Sequence, residues 1–154
     1  MYLVCDVSGS MLENGKFMIM RGVARSVEQY YRLGYGKEEI TLVEWGKEAR
    51  IVEWVLDNEF PPEMLACAGF ADAKSLTELL GEQPAGNVLL VTDGFYTNDA
   101  LKVLKRWINK LQPGILRIIK IGADAASTEL KGANEYMPED LFAALSDWQE
   151  GSAA

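Results

Sequence analysis

Two short apolar runs in this chain break off at a carboxylate. Tyr2-Leu3-Val4-Cys5 stops at Asp6, and Val88-Leu89-Leu90-Val91-Thr92 stops at Asp93-Gly94. Runs of this length without polar alternation are strands covered on both faces, which requires helices on either side of a parallel sheet. Both carboxylates then stand at strand carboxyl ends, where open α/β sheets bind their ligands. If the two strands are neighbours, Asp6 and Asp93 meet at one place.

Elsewhere the apolar spacing alternates between the two regular periods. Phe17, Met20, Ala24, Val27 and Tyr31 recur every three or four residues and predict a helix over 16–33, stopped by Gly34 and Gly36. Residues 40–45 and 49–55 are β-rich and joined by Gly46-Lys47-Glu48, a hairpin. Pro61-Pro62 ends that region, and a helix follows between Asp72 and Leu80. Thr97 and Asn98 can cap a helix carrying Leu101, Leu104, Ile108 and Leu111, which Pro113-Gly114 breaks. A strand over 115–121, a short helical segment near 128–132 and a helix over 138–148 complete the order. The expectation is one domain over 1–150 with a flexible tail at 151–154. Its class is α/β, in three layers, with a mostly parallel central sheet and one antiparallel edge strand.

Composition narrows the chemistry. The chain has no histidine and two cysteines, Cys5 and Cys67, set far apart in apolar surroundings. Ser-His-Asp and Cys-His catalysis and imidazole zinc sites are therefore excluded, as is a disulfide framework. No glycine-rich phosphate loop supports nucleotide binding. A net charge of −8 argues against nucleic acid or anionic membrane as partner, since both need a basic face. No apolar stretch approaches the ~18 residues that cross a bilayer, and no signal segment opens the sequence. A cytoplasmic protein is expected.

The segment Asp6-Val7-Ser8-Gly9-Ser10-Met11 places one carboxylate and two hydroxyls at alternate positions of a tight loop. Oxygen donors of this hardness suit Mg²⁺, which takes few carboxylates and keeps its waters. The plainer role is a helix cap. This segment, together with Thr92-Asp93-Gly94, resembles the von Willebrand factor A domain family along essentially the whole chain. The resemblance implies an α/β/α fold and a metal-ion-dependent adhesion site built from Asp6, Ser8, Ser10 and Asp93, with a hydroxyl from a second loop. That second-loop position falls among Lys74, Ser75 and Thr77. Ser75 would complete a site for Mg²⁺, Mn²⁺ or Ca²⁺, whereas Lys74 would replace the ion with its ammonium. The function implied is non-enzymatic: a partner protein offers an acidic side chain to the metal, with Phe95 and Tyr96 at the rim. The first segment also resembles the Asp-x-Asp-Gly-Thr-Leu motif of haloacid-dehalogenase phosphohydrolases, with Asp6 as nucleophile. Ser8, however, stands where that family needs its acid.

Overall fold

The computed structural model describes residues 1–55, 57–122 and 134–152. Chain order runs β1 (Tyr2–Asp6), α1 (Lys16–Arg32), β2 (Thr41–Trp45), β3 (Ala49–Val52), α2 (Ala73–Leu80), β4 (Val88–Thr92), α3 (Asn98–Lys110), β5 (Leu116–Lys120), β6 (Asn134–Tyr136) and α4 (Leu141–Ser152). Short 3-10 segments cover Gly9–Gly15, Pro62–Leu65 and Pro138–Asp140.

The six strands form one sheet in the order β3-β2-β1-β4-β5-β6. All pairs are parallel except β2 with β3, the expected antiparallel edge hairpin. Period-two alternation divides the core into two layers. Leu3, Cys5, Leu89, Val91 and Ile119 face α1 and α4, where Met20, Val27, Leu141 and Leu145 cover them. Val4, Val43, Leu90 and Ile118 face α2 and α3, against Leu76, Leu80, Leu104 and Trp107. This is the three-layer α/β architecture read from the sequence.

Three differences from the sequence expectation have local causes. β6 pairs with β5 as a second edge, yet Asn134-Glu135-Tyr136 carries no apolar signal because two of its three residues face solvent. Gly9–Gly15, read as a tight loop, winds into 3-10 turns broken by a kink at Glu13-Asn14. The last helix, expected over 138–148, continues to Ser152. The helical segment expected near 128–132 lies outside the described residues. Among the described residues no helix is long and apolar enough to cross a membrane.

The four tryptophans are placed as cover, each donating its ring N–H to a backbone carbonyl: Trp45 to Asp72, Trp54 to Asn58, Trp107 to Gly81 and Trp148 to Gly114. Such a bond allows an indole to bury its ring without stranding its donor. The Trp45 bond also fixes the start of α2 beside the end of β2, and Asp72 N–H completes that junction by donating to Gly46 O at 2.8 Å.

Candidate functional site

The chain leaves β1, passes to β2 on one side, and returns to β4 on the other, so the topological switch lies between β1 and β4. In-register pairing of Cys5 with Val91 brings Asp6 and Thr92-Asp93 together at adjacent strand ends. Two backbone bonds zip a further loop onto the first: Gly9 N–H to Gly69 O at 2.8 Å, and Ala68 N–H to Val7 O at 2.9 Å. Three loops therefore converge, 7–15, 68–72 and 93–97.

Asp6 is fully buried, with both carboxylate oxygens hydrogen-bonded. Its Oδ1 accepts from Ser8 N–H at 2.9 Å, and its Oδ2 accepts from the Thr92 hydroxyl at 2.7 Å. Burial pushes its carboxyl above the usual carboxylate range; hydrogen bonds from Ser8 and Thr92 pull it back, and the charge of Asp93 adds to the rise. Thr92 uses all its bonding capacity, since it also accepts from Gly94 N–H at 3.1 Å and from the Tyr96 hydroxyl at 3.2 Å.

Asp93 is equally buried. Its Oδ2 accepts from Lys16 Nζ at 3.2 Å, an ion pair in which both side chains are 0% exposed. Its Oδ1 accepts from Phe95 N–H at 3.1 Å. Gly94, between them, adopts a φ of 81°, a left-handed turn that suits glycine. The Phe95 ring lies over the Lys16 ammonium, with Nζ 4.9 Å from the ring centre.

Ser8, buried at 4%, and the half-buried Ser10 differ from the aspartates in lining a cavity. Their hydroxyl oxygens are 3.3 Å apart. They line a cavity of about 210 Å³ together with Gly69, Phe70, Phe95 and Thr97. Phe70, 77% exposed, also lines a second, adjoining cavity of about 600 Å³.

Four of the residues singled out in the sequence, Asp6, Ser8, Ser10 and Asp93, thus belong to one cluster. The second-loop candidates are held elsewhere. Ser75 Oγ donates to Asp72 O at 2.8 Å and accepts from Ala49 N–H at 3.0 Å, which ties α2 to the edge hairpin. The Thr77 hydroxyl donates to Lys74 O. Lys74 is exposed and lies within 4.0 Å of Glu78 one helical turn on. The loop that does reach the cavity offers Gly69, Phe70 and Ala71, none with a side-chain oxygen. The cation in the cluster is Lys16, not Lys74. Sequence reading took Lys16 only as the first residue of a helix.

The divalent ion implied by the resemblance fits this donor set poorly. Magnesium seeks six oxygens in near-octahedral array. Here both oxygens of each aspartate are already engaged, Asp93 is neutralised by an ammonium, and the second loop brings no hydroxyl. Of the four residues Asp6, Ser8, Ser10 and Asp93, the two serines line the cavity and the aspartates do not. Among the described residues no group of three or more carboxylate or thiolate side chains gathers.

No family's sequence profile matches this chain, and no curated protein matches it in sequence. Solved structures do. The conserved hypothetical protein BatB from Bacteroides thetaiotaomicron superposes with a TM-score of 0.61 at 9% identity, covering 99% of this chain and 98% of that one. The von Willebrand factor type A protein from Catenulispora acidiphila gives 0.59 at 15% identity, covering 96% of this chain but 41% of its own. Manganese-loaded TRAP protein from Plasmodium vivax gives 0.58 at 14% identity, with 96% and 71% covered. The six-stranded, mostly parallel sheet with one antiparallel edge pair and flanking helices agrees with these likenesses: the chain has the von Willebrand factor A domain fold.

Proposed function

We propose that this domain is a non-enzymatic protein-interaction module that docks a partner protein at the carboxyl ends of β1 and β4. The observation that carries this reading is the pair of exposed phenylalanines, Phe70 and Phe95, at 77% and 46%, flanking the cavity onto which Ser8 and Ser10 open. Exposed aromatic rings around a small polar recess match the anchor-and-rim anatomy of protein interfaces. The two hydroxyls can donate to an acidic side chain or a carbonyl of the partner. Proteins sharing the fold support an interaction role by analogy, and the two buried, unpaired cysteines suit the cytoplasm.

A version in which Asp6, Ser8, Ser10 and Asp93 hold a divalent ion has less support, because both oxygens of each aspartate are engaged and Lys16 already pairs with Asp93. Phosphohydrolysis through Asp6 is the weaker reading, because a nucleophile must reach substrate and Asp6 is fully buried with both oxygens bonded.

Site-specific photo-crosslinking tests the docking face. Benzoylphenylalanine in place of Phe70 should trap a discrete adduct in host cells, and the same probe at Ile51 on the edge strand, also exposed, should not. Equal labelling from both positions, or none from Phe70, would remove the proposal. The accompanying variant Phe70→Ser should abolish the adduct obtained from a probe at Phe95 while changing stability by no more than about 0.5 kcal/mol.

A further inference from the structure

The geometry points to Lys16 as the resident cation of this site: its ammonium, tethered to the chain, supplies beside Asp93 the positive charge that a divalent ion would otherwise bring. The inference concerns what holds the three loops together. It stands or falls independently of whether a protein docks on them.

Burial is the first observation. A lysine side chain at 0% exposure survives only when paired, because an isolated ammonium taken out of water shifts to its neutral form or drags water inward. Asp93, also at 0%, is among its partners at 3.2 Å. Phe95 then closes the pair from above, its ring over Nζ and its backbone N–H on the other carboxylate oxygen. Lysine, Asp93 and the 93–97 loop form one locked unit.

The local backbone gives an independent reason. Lys16 is the first residue of α1, and no acidic residue occupies that first turn. A cation there faces the partial positive charge of the unpaired helix N–H groups, the wrong sign for the position. The chain nevertheless bends sharply to deliver it, through two successive left-handed residues, Asn14 at φ 54° and Gly15 at φ 71°. A cation set against the helix dipole needs a gain elsewhere, and the pair with Asp93 supplies it. The donor set agrees. An ion on either oxygen of Asp93 would stand only a few ångström from Nζ and be repelled by it. The nearby loop has Gly69, Phe70 and Ala71 where a hydroxyl would be needed.

The test uses the full chain, Lys16→Met and the charge-free pair Lys16→Met/Asp93→Asn. MnCl₂ is titrated by calorimetry, and thermal unfolding is followed in MnCl₂ and in EDTA. The wild type should show no saturable Mn²⁺ binding and the same melting temperature in both conditions. Lys16→Met should melt lower in EDTA, recover in Mn²⁺, and bind Mn²⁺ at least about tenfold more tightly than the wild type, since a repelling unit charge is gone. The double variant should lose that recovery. Saturable Mn²⁺ binding by the wild type, abolished by Asp6→Ala, would overturn the inference, and so would a Lys16→Met protein that gains no affinity. If Lys16→Met does not fold in either condition, the wild-type titration decides alone.

Discussion

Thr92→Val is the sharpest probe of the buried network, because the change keeps the side chain's shape and removes one hydroxyl. That hydroxyl donates to Asp6 Oδ2 at 2.7 Å and accepts from Gly94 N–H and the Tyr96 hydroxyl. The charge-assisted bond to a buried carboxylate contributes about 1.5–3 kcal/mol, and an unpaired Gly94 N–H adds about 1 kcal/mol. The expected loss is about 3 kcal/mol, a large share of the roughly 5–15 kcal/mol that holds a domain of this size. Thr92→Ser is the control: it keeps the hydroxyl, loses a buried methyl, and should cost about 1 kcal/mol.

The same variant has a signed pH dependence. Burial already holds the Asp6 carboxyl above the usual range, so a proton binds the folded chain more tightly than the unfolded one. The contribution of Asp6 to stability is therefore fullest in acid and is lost as pH rises through its folded value. Removing the Thr92 donor takes away a bond that favours the charged form, and pushes that value higher still. The Thr92→Val deficit should be largest at neutral pH and shrink as pH falls through the raised Asp6 value, where the carboxyl takes up its proton. Urea unfolding at several pH values, read by tryptophan fluorescence, measures it. A Thr92→Val protein as stable as Thr92→Ser at neutral pH, or a deficit that grows on acidification, would refute the reasoning.

Two further predictions separate structural from site residues. Ser75→Ala removes a hydroxyl that bridges Asp72 O and Ala49 N–H, so it should cost about 1 kcal/mol in urea unfolding. It should leave photo-adduct formation from the Phe95 position unchanged; a lost adduct would place Ser75 at the docking face. Burial pushes the Cys67 thiol up to about 11 and Cys5 higher still. At pH 8 Cys67 is then ionised to only about one part in a thousand, against roughly a quarter for an ordinary thiol. Both cysteines should resist Ellman's reagent until urea unfolds the chain, and rapid labelling of the native protein would contradict the packing.

The fold was legible where a single element carries its own signal. β1 and β4 are continuous apolar runs because α1 and α4 cover one face and α2 and α3 the other. α1 shows a full stripe at helical spacing, and Thr97 caps α3 as its position suggested, accepting from Ala100 N–H at 3.1 Å. β6 was not legible. Its place in the sheet comes from hydrogen bonds to β5, which leave no trace in the character of Asn134, Glu135 and Tyr136. The 3-10 winding of Gly9–Gly15 likewise depends on backbone bonds to the 68–69 loop rather than on its own residues.

The site divides along the same line. Asp6, Ser8, Ser10 and Asp93 could be named because each lies within a few residues of a strand end that sequence locates. The second loop could not be aligned from its own residues, since what fixes it is Gly9 N–H on Gly69 O, a bond across sixty positions. That bond sets Gly69, Phe70 and Ala71 at the cavity and leaves Ser75 to hold the hairpin. Lys16 is the instructive omission. A lysine at the start of a helix reads as a boundary residue facing solvent, the commonest fate of its kind. Two signals argued otherwise: the helix begins with a cation and no acidic residue, against its own dipole, and Asn14-Gly15 before it permits a double left-handed turn. Each is weak alone, and the first is the one that violates local preference, since asparagine and glycine adopt the left-handed turn readily. Such a violation persists when a distant group compensates, and a buried carboxylate is a strong partner for a buried ammonium. Asp93, already placed at a strand end, was the obvious acceptor. A sequence reading that seeks the counter-charge for each buried acid, rather than the ligand for an assumed metal, would have joined the two.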